Sequence, residues 1–428
     1  MRHSTGLVEL VTAFISAVIG GLALTTPIML AWAHGTSTLQ IQMLATSMPR
    51  STAIGCVAAV VVAVFASTAE SMVVPWASAL CGAVVLLLNQ LVGRSFSEMA
   101  PLTTLNYIDS LAGGMLLGGL VAAAAVRPPL TLAFVLGALT SIVVGDMSVS
   151  SSEAGEPIRY SPVVWFVVDS PPLWLIWPAT ALLGWFTVRN RAGRRYSMFT
   201  VELPLRPILA AVVGMSVPVL SSEWLVQHGN AGGDVLLVAA VTVAAAFVTA
   251  LLLPGHDGIL LLMCVALAAV GAAIALVPGE LWHIPVLMAV NVVGLWLGLR
   301  RPSPMIGMIA LVALGVFTAL AAGPHTSVPG AAGTATLMLV VLTGYCFTSA
   351  MPSHSPSLML SIATLVVPGV VVAMRGRVFS TDPKLDLDNA VPGGAAVLIT
   401  LGCMGGLLLL RRRAVEPDPA PLQGPPSE

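Results

Sequence analysis

The sequence predicts an all-α, polytopic membrane protein of about 14 transmembrane helices, and no fewer than about 12. Three observations predict it. Of the 428 residues, 57% are hydrophobic and 9% charged, where a soluble domain carries about 25% charge. The apolar residues fall into blocks of roughly 16–27 residues, the length that crosses a bilayer as a helix. Blocks such as 236–253 and 260–277 do not alternate in polarity, as strands of a membrane barrel would. In lipid the remaining way to satisfy every backbone N–H and C=O within a segment is the helix.

Taken in order, helices are expected near 7–33, 51–69, 72–93, 109–126, 129–148, 173–189, 205–226, 233–253, 259–277, 283–299, 304–323, 330–350, 356–374 and 390–410. The first follows Met1-Arg2-His3. Its apolar run is too long for a signal-peptide core and has no small-residue cleavage site, so it reads as an uncleaved first helix. The stretch 51–93 holds two helices separated only by Thr68-Ala69-Glu70-Ser71. Pro75, Pro178, Pro218 and Pro368 fall inside blocks, where proline removes a helical hydrogen bond and favours a kink. The longest connections are 149–172 and 375–389, too short for a soluble catalytic module or an ATPase. The end of the chain, 416–428, is rich in proline and acid and is expected to be disordered. The expected organisation is two pseudo-repeated bundles: 1–188, a cytoplasmic central loop 189–204, 205–411, and a disordered cytoplasmic tail 412–428.

Orientation follows from where arginine and lysine lie in short loops. Placing the N-terminus inside puts Arg2, Arg127, Arg189, Arg191, Arg194, Arg195, Arg300, Arg301, Arg411, Arg412 and Arg413 on the cytoplasmic side. The opposite side then holds Arg50, Arg94, Arg159, Arg375, Arg377 and Lys384. Eleven against six places both termini in the cytoplasm of a plasma-membrane protein. The cluster Arg189, Arg191, Arg194 and Arg195 acts as a topology determinant and can also meet lipid headgroups.

Ionisable groups inside a membrane point to function, and here they are few. Glu9, Asp109, Asp146, Asp234 and Glu223 read as interfacial groups near helix ends. Glu70 stands apart, because its tight turn can hold the carboxylate at or below the headgroups. It is the candidate coupling site, weighed against a plain turn acid. Asn291, in the middle of its helix, is a candidate for the substrate path or for an interhelical hydrogen bond. Gly114 and Gly118 form a small-xxx-small pair that lets two backbones approach, in a moving path or in static packing.

The five cysteines all lie in apolar blocks with no CxxC pattern and read as small hydrophobes. No histidine spacing fits a metal site, and no cofactor is expected. The loop 34–50 has no Asp or Glu, which argues against a transferase acting on lipid-linked sugars. The expectation is therefore not an enzyme, with no nucleic-acid partner.

The layout resembles the 14-helix drug–proton antiporters of the major facilitator superfamily. Gly114-Met115-Leu116-Leu117-Gly118-Gly119 is similar to that group's Gly-Pro-x-x-Gly-Gly motif, with Met115 for proline. Asn190-Arg191-Ala192-Gly193-Arg194-Arg195 is similar to its Asp-Arg-x-Gly-Arg-Arg loop, with Asn190 for aspartate. Trp174–Arg189 resembles its tryptophan-rich sixth helix. The resemblance implies a substrate site near mid-membrane between two rocking bundles. Walls of Gly, Ala, Val, Leu and Met suit a hydrophobic or amphiphilic solute. The expected function is a transporter or flippase for such a molecule, with lipids and membrane proteins as partners. The alternative is a non-catalytic subunit or scaffold of a cell-envelope assembly complex.

Overall fold

Each of the fourteen apolar blocks forms a helix in the computed structural model, which describes residues 2–26, 38–95, 102–150, 171–192, 205–228, 232–274, 283–322, 330–379 and 390–415. In chain order they are α1 (Arg2–Thr25), α2 (Thr38–Thr68), α3 (Val73–Ser95), α4 (Leu102–Ala124), α5 (Pro128–Ser150), α6 (Leu173–Arg189) and α7 (Leu205–His228). There follow α8 (Gly232–Leu252), α9 (Gly258–Ala273), α10 (His283–Arg300), α11 (Pro304–Phe317), α12 (Ala331–Ser349), α13 (Ser355–Phe379) and α14 (Ala390–Val415). Twelve of them contain a stretch of at least 18 residues apolar enough to cross a membrane. The exceptions are α6, with 17 residues, and α9, with 16.

Boundaries differ from the sequence reading where polar residues are buried or a proline is tolerated. α2 begins at Thr38 and runs through Pro49, so much of the expected loop 34–50 is helical. α4 begins at Leu102 rather than 109, because packing against α3 recruits the polar stretch Thr103–Ile108. α11 ends in a π-helical turn, Thr318–Ala322, where the hydroxyl of Thr318 donates to the Gly315 carbonyl at 2.8 Å.

The helices pack by one scheme used twice. In the first six, α2 packs on α4, α3 on α4, α1 on α5, α1 on α4, α3 on α6, and α1 on α6. Adding eight to each number gives contacts that recur in the last six: α10 on α12, α11 on α12, α9 on α13, α9 on α12, α11 on α14, and α9 on α14, with α9 packing on α11 as well. The two sets meet at the equivalent pairs α2 against α13 and α5 against α10, and α13 also reaches α1, α4 and α5 of the first set. α7 and α8 stand outside the repeat. They pack on each other, α7 also on α2 and α13, and α8 also on α9 and α14.

The side chains show how a bundle is built for lipid. Leu205, Leu209 and Leu220 on α7, and Ile306, Ile309 and Leu320 along α11 and its π-turn, are all more than half exposed. Such apolar stripes are aggregation liabilities in water and ordinary in a bilayer. Most helix hydroxyls bond back to their own helix, as Thr140 does to Leu136 at 2.7 Å and Thr242 to Val238 at 2.8 Å. This removes the cost of an unpaired polar group without an interhelical partner. α9 is apolar on all sides, as a helix at the centre of a bundle is, and eleven of its 16 residues are buried.

Candidate functional site

Among the described residues, two places inside this bundle hold a buried carboxylate with its donors. The first lies between α3 and α4. Asp109 is two turns into α4 and 3% exposed. Asn89 Nδ2 donates to Asp109 Oδ1 at 2.5 Å and to the Leu105 carbonyl at 3.0 Å. Gln90 Nε2 donates to Asp109 Oδ2 at 3.1 Å. Both amides come from the last turns of α3, so a neutral pair on one helix satisfies a buried carboxylate on the next. The sequence reading placed Asp109 at a helix end. The signal that could have found it is the adjacent amide pair Asn89-Gln90 inside an otherwise apolar block.

The second place is the arginine-rich end of the molecule, where α9, α11 and α13 begin and α10, α12 and α14 end. Asp257, just before α9, is buried. Its Oδ1 accepts from the backbone N–H of Ser353 at 3.0 Å and the Ser353 hydroxyl at 3.1 Å. Its Oδ2 accepts from the His354 N–H at 3.2 Å and meets His354 Nδ1 at 2.9 Å. One carboxylate thus holds the whole α12–α13 turn. A cavity of 520 Å³ lies beside it, lined by His256, Asp257, Pro304, Ser349, Met351 and Arg411 among others. A smaller cavity of 120 Å³ lies between the α4–α5 turn, at Ala125 and Pro128, and the α12–α13 turn, at Met351 and Ser353. The first repeat has a matching tie: Arg127 in the α4–α5 turn bonds Glu9 of α1 at 2.7 Å. At the other end of the molecule, Arg50 of α2 pairs with Glu223 of α7 at 2.8 and 3.0 Å.

The residues singled out from sequence are dispersed. Glu70 is exposed in the turn between α2 and α3. Asn291 is buried in α10 against Gly344 of α12, and its Oδ1 has no donor among the described residues. Gly114 and Gly118 pack α4 against α2: a Cβ at either would collide with the backbone of Gly55 or Ala59. The same helix pair of the second repeat has the same device, with Gly294 and Gly298 of α10 pressed on α12. Arg189 closes α6 and Arg191 follows in a short 3-10 turn, Asn190–Ala192. Arg194 and Arg195 lie outside the described residues, as does the end of the chain from 416 on. The two bonded clusters lie on different helices and bring none of these candidates together.

No protein-family model matches the chain, and no curated protein matches it in sequence. Solved structures do match. The peptide transporter POT, in a mutant form, superposes with a TM-score of 0.54 at 12% identity, over 95% of both chains. The fold is major facilitator-like. A POT family transporter in complex with a thioalcohol conjugated peptide gives a TM-score of 0.50 at 11% identity over 97% of both chains. The major facilitator superfamily transporter FucP, in the outward conformation, gives 0.49 at 12% identity, over 96% of this chain and 98% of its own. At these identities the likeness is one of fold.

Proposed function

We propose that this major facilitator-like protein is a plasma-membrane transporter, with both termini cytoplasmic, that moves a hydrophobic or amphiphilic solute between its two repeats. The observation that carries this reading is the packing scheme repeated at an offset of eight helices. Two equivalent units that meet through equivalent helices, α2 with α13 and α5 with α10, can rock about a site between them. The arginine distribution supports the orientation.

One of the neighbours is a peptide transporter, and the interior of this chain favours a less polar cargo. A peptide brings two full charges, which buried sites must pair. Among the described residues the buried carboxylates are Asp109 and Asp257, and each already has its donors. The remaining buried side chains are mostly aliphatic and aromatic, with scattered hydroxyls and the amides Asn106 and Asn291.

The test is flux in proteoliposomes, with a fluorescent amphiphile loaded on one side and followed with and without a pH gradient. Flux several-fold above protein-free liposomes is expected. Glu70→Gln should leave both the flux and its response to the gradient unchanged. No flux across a series of amphiphiles would favour the scaffold reading instead.

A further inference from the structure

The 520 Å³ cavity lies within the second repeat, apart from the path between repeats, and its charges are unevenly committed. Asp257, its acid, already accepts hydrogen bonds from Ser353 and His354 at both oxygens. Its two basic side chains are uncommitted: among the described residues neither the Arg411 guanidinium nor the His256 imidazole has a hydrogen-bond or ion-pair partner. Two helices start on the cavity, α9 at Ile259 and α11 at Pro304, and neither start has a side-chain cap. The lining residues give no free N–H there, since the Ile259 N–H donates to the His256 carbonyl at 3.0 Å and Pro304 has none, so what the two starts bring to the cavity is the positive end of the helix dipole. α12 also ends on the cavity, at Ser349 and Ala350. Ile259 and Met351 supply apolar wall.

We infer that this cavity binds an anionic amphiphile, its phosphate-like group held by Arg411 and His256 at the starts of α9 and α11, its apolar part against Ile259 and Met351. The volume falls in the range of small-molecule sites and exceeds what a bare inorganic anion needs. Guanidinium suits a phosphate through paired donors. Met351 also lines the 120 Å³ cavity against the α4–α5 turn. An occupant therefore rests on the turn where the two repeats face each other. The anion comes either from a lipid or from a soluble phosphate ester.

The test uses the full chain in nanodiscs of zwitterionic lipid, with binding read by isothermal titration and by the shift in unfolding midpoint. The probes are lysophosphatidate, glycerol 3-phosphate and lysophosphatidylcholine. Binding of lysophosphatidate well above glycerol 3-phosphate identifies a lipid source, and comparable binding of the two identifies a soluble one. Both require that lysophosphatidylcholine bind far more weakly. Arg411→Gln should weaken binding by about tenfold, one charge-assisted hydrogen bond lost. Arg411→Lys should recover part of that, and Arg50→Gln at the far end should change nothing. The unfolding midpoint of ligand-free Arg411→Gln should equal that of the parent, which separates a lost contact from a lost fold. Equal binding of the zwitterionic probe, no binding of either anion, or unchanged affinity in Arg411→Gln overturns the inference. The assay needs no gradient and no flux, so it can fail while the transport reading stands.

Discussion

Asp109 is a carboxylate surrounded by helices and held only by neutral amides. Removing one partner of a buried polar group exposes the other to its full desolvation cost. Asn89→Leu should therefore destabilise the protein by about 1–3 kcal/mol, measured by reversible unfolding in mixed micelles. Glu223→Gln breaks the Arg50 pair, in which the arginine side chain is 56% exposed. The cost there should be only about 0–1 kcal/mol, as for exposed ion pairs generally. Equal losses in the two variants would mean that the Asn89–Gln90–Asp109 group is not the buried network described. This is also where the sequence was hardest to read. Thr103, Thr104, Asn106 and Asp109 lower the hydropathy of the first turns of α4, so the apolar block alone starts the helix too late and leaves Asp109 at its edge. Which polar residues a neighbouring helix will bury is a tertiary fact, absent from a one-dimensional pattern. Asp257 escaped for the same reason: its partners, Ser353 and His354, are nearly a hundred residues away.

The α2–α4 contact shows what the glycine spacing means for a helix. Gly114 and Gly118 were legible as a pair that could meet another backbone, but nothing in the sequence names Gly55 and Ala59 as the partners. Gly114→Val would drive a side chain into the Gly55 carbonyl. Overpacking of this kind costs about 1–3 kcal/mol or more. Gly184→Val on α6 meets nothing within 4 Å and should leave the unfolding midpoint within error of the parent. Similar losses for both would show that the effect is one of β-branched residues in helices rather than of the contact. Helix existence was readable at every block because each must satisfy its own backbone in lipid. Helix ends were less so, since Pro49 sits inside α2 and α9 is shorter than its apolar run.

Across the whole molecule, the offset of eight helices was the least visible feature in the sequence. The repeats share no motif that aligns them. Equivalent positions use different residues for the same task, such as Glu9 with Arg127 in one repeat and Asp257 with His354 in the other. What repeats is the order of contacts, which only the folded chain displays. α7 and α8 pack on each other and on helices of both six-helix sets. That organisation makes the relative motion of the two units the central claim. The most direct test tethers them at the 120 Å³ cavity, with Ala125→Cys on one turn and Pro352→Cys on the other, in a Cys81→Ser background, bridged by a short bifunctional thiol reagent. Amphiphile flux in proteoliposomes should fall at least several-fold on bridging, return when a cleavable bridge is reduced, and be unaffected by the reagent in either single-cysteine variant. Full flux through the bridged protein would contradict the account.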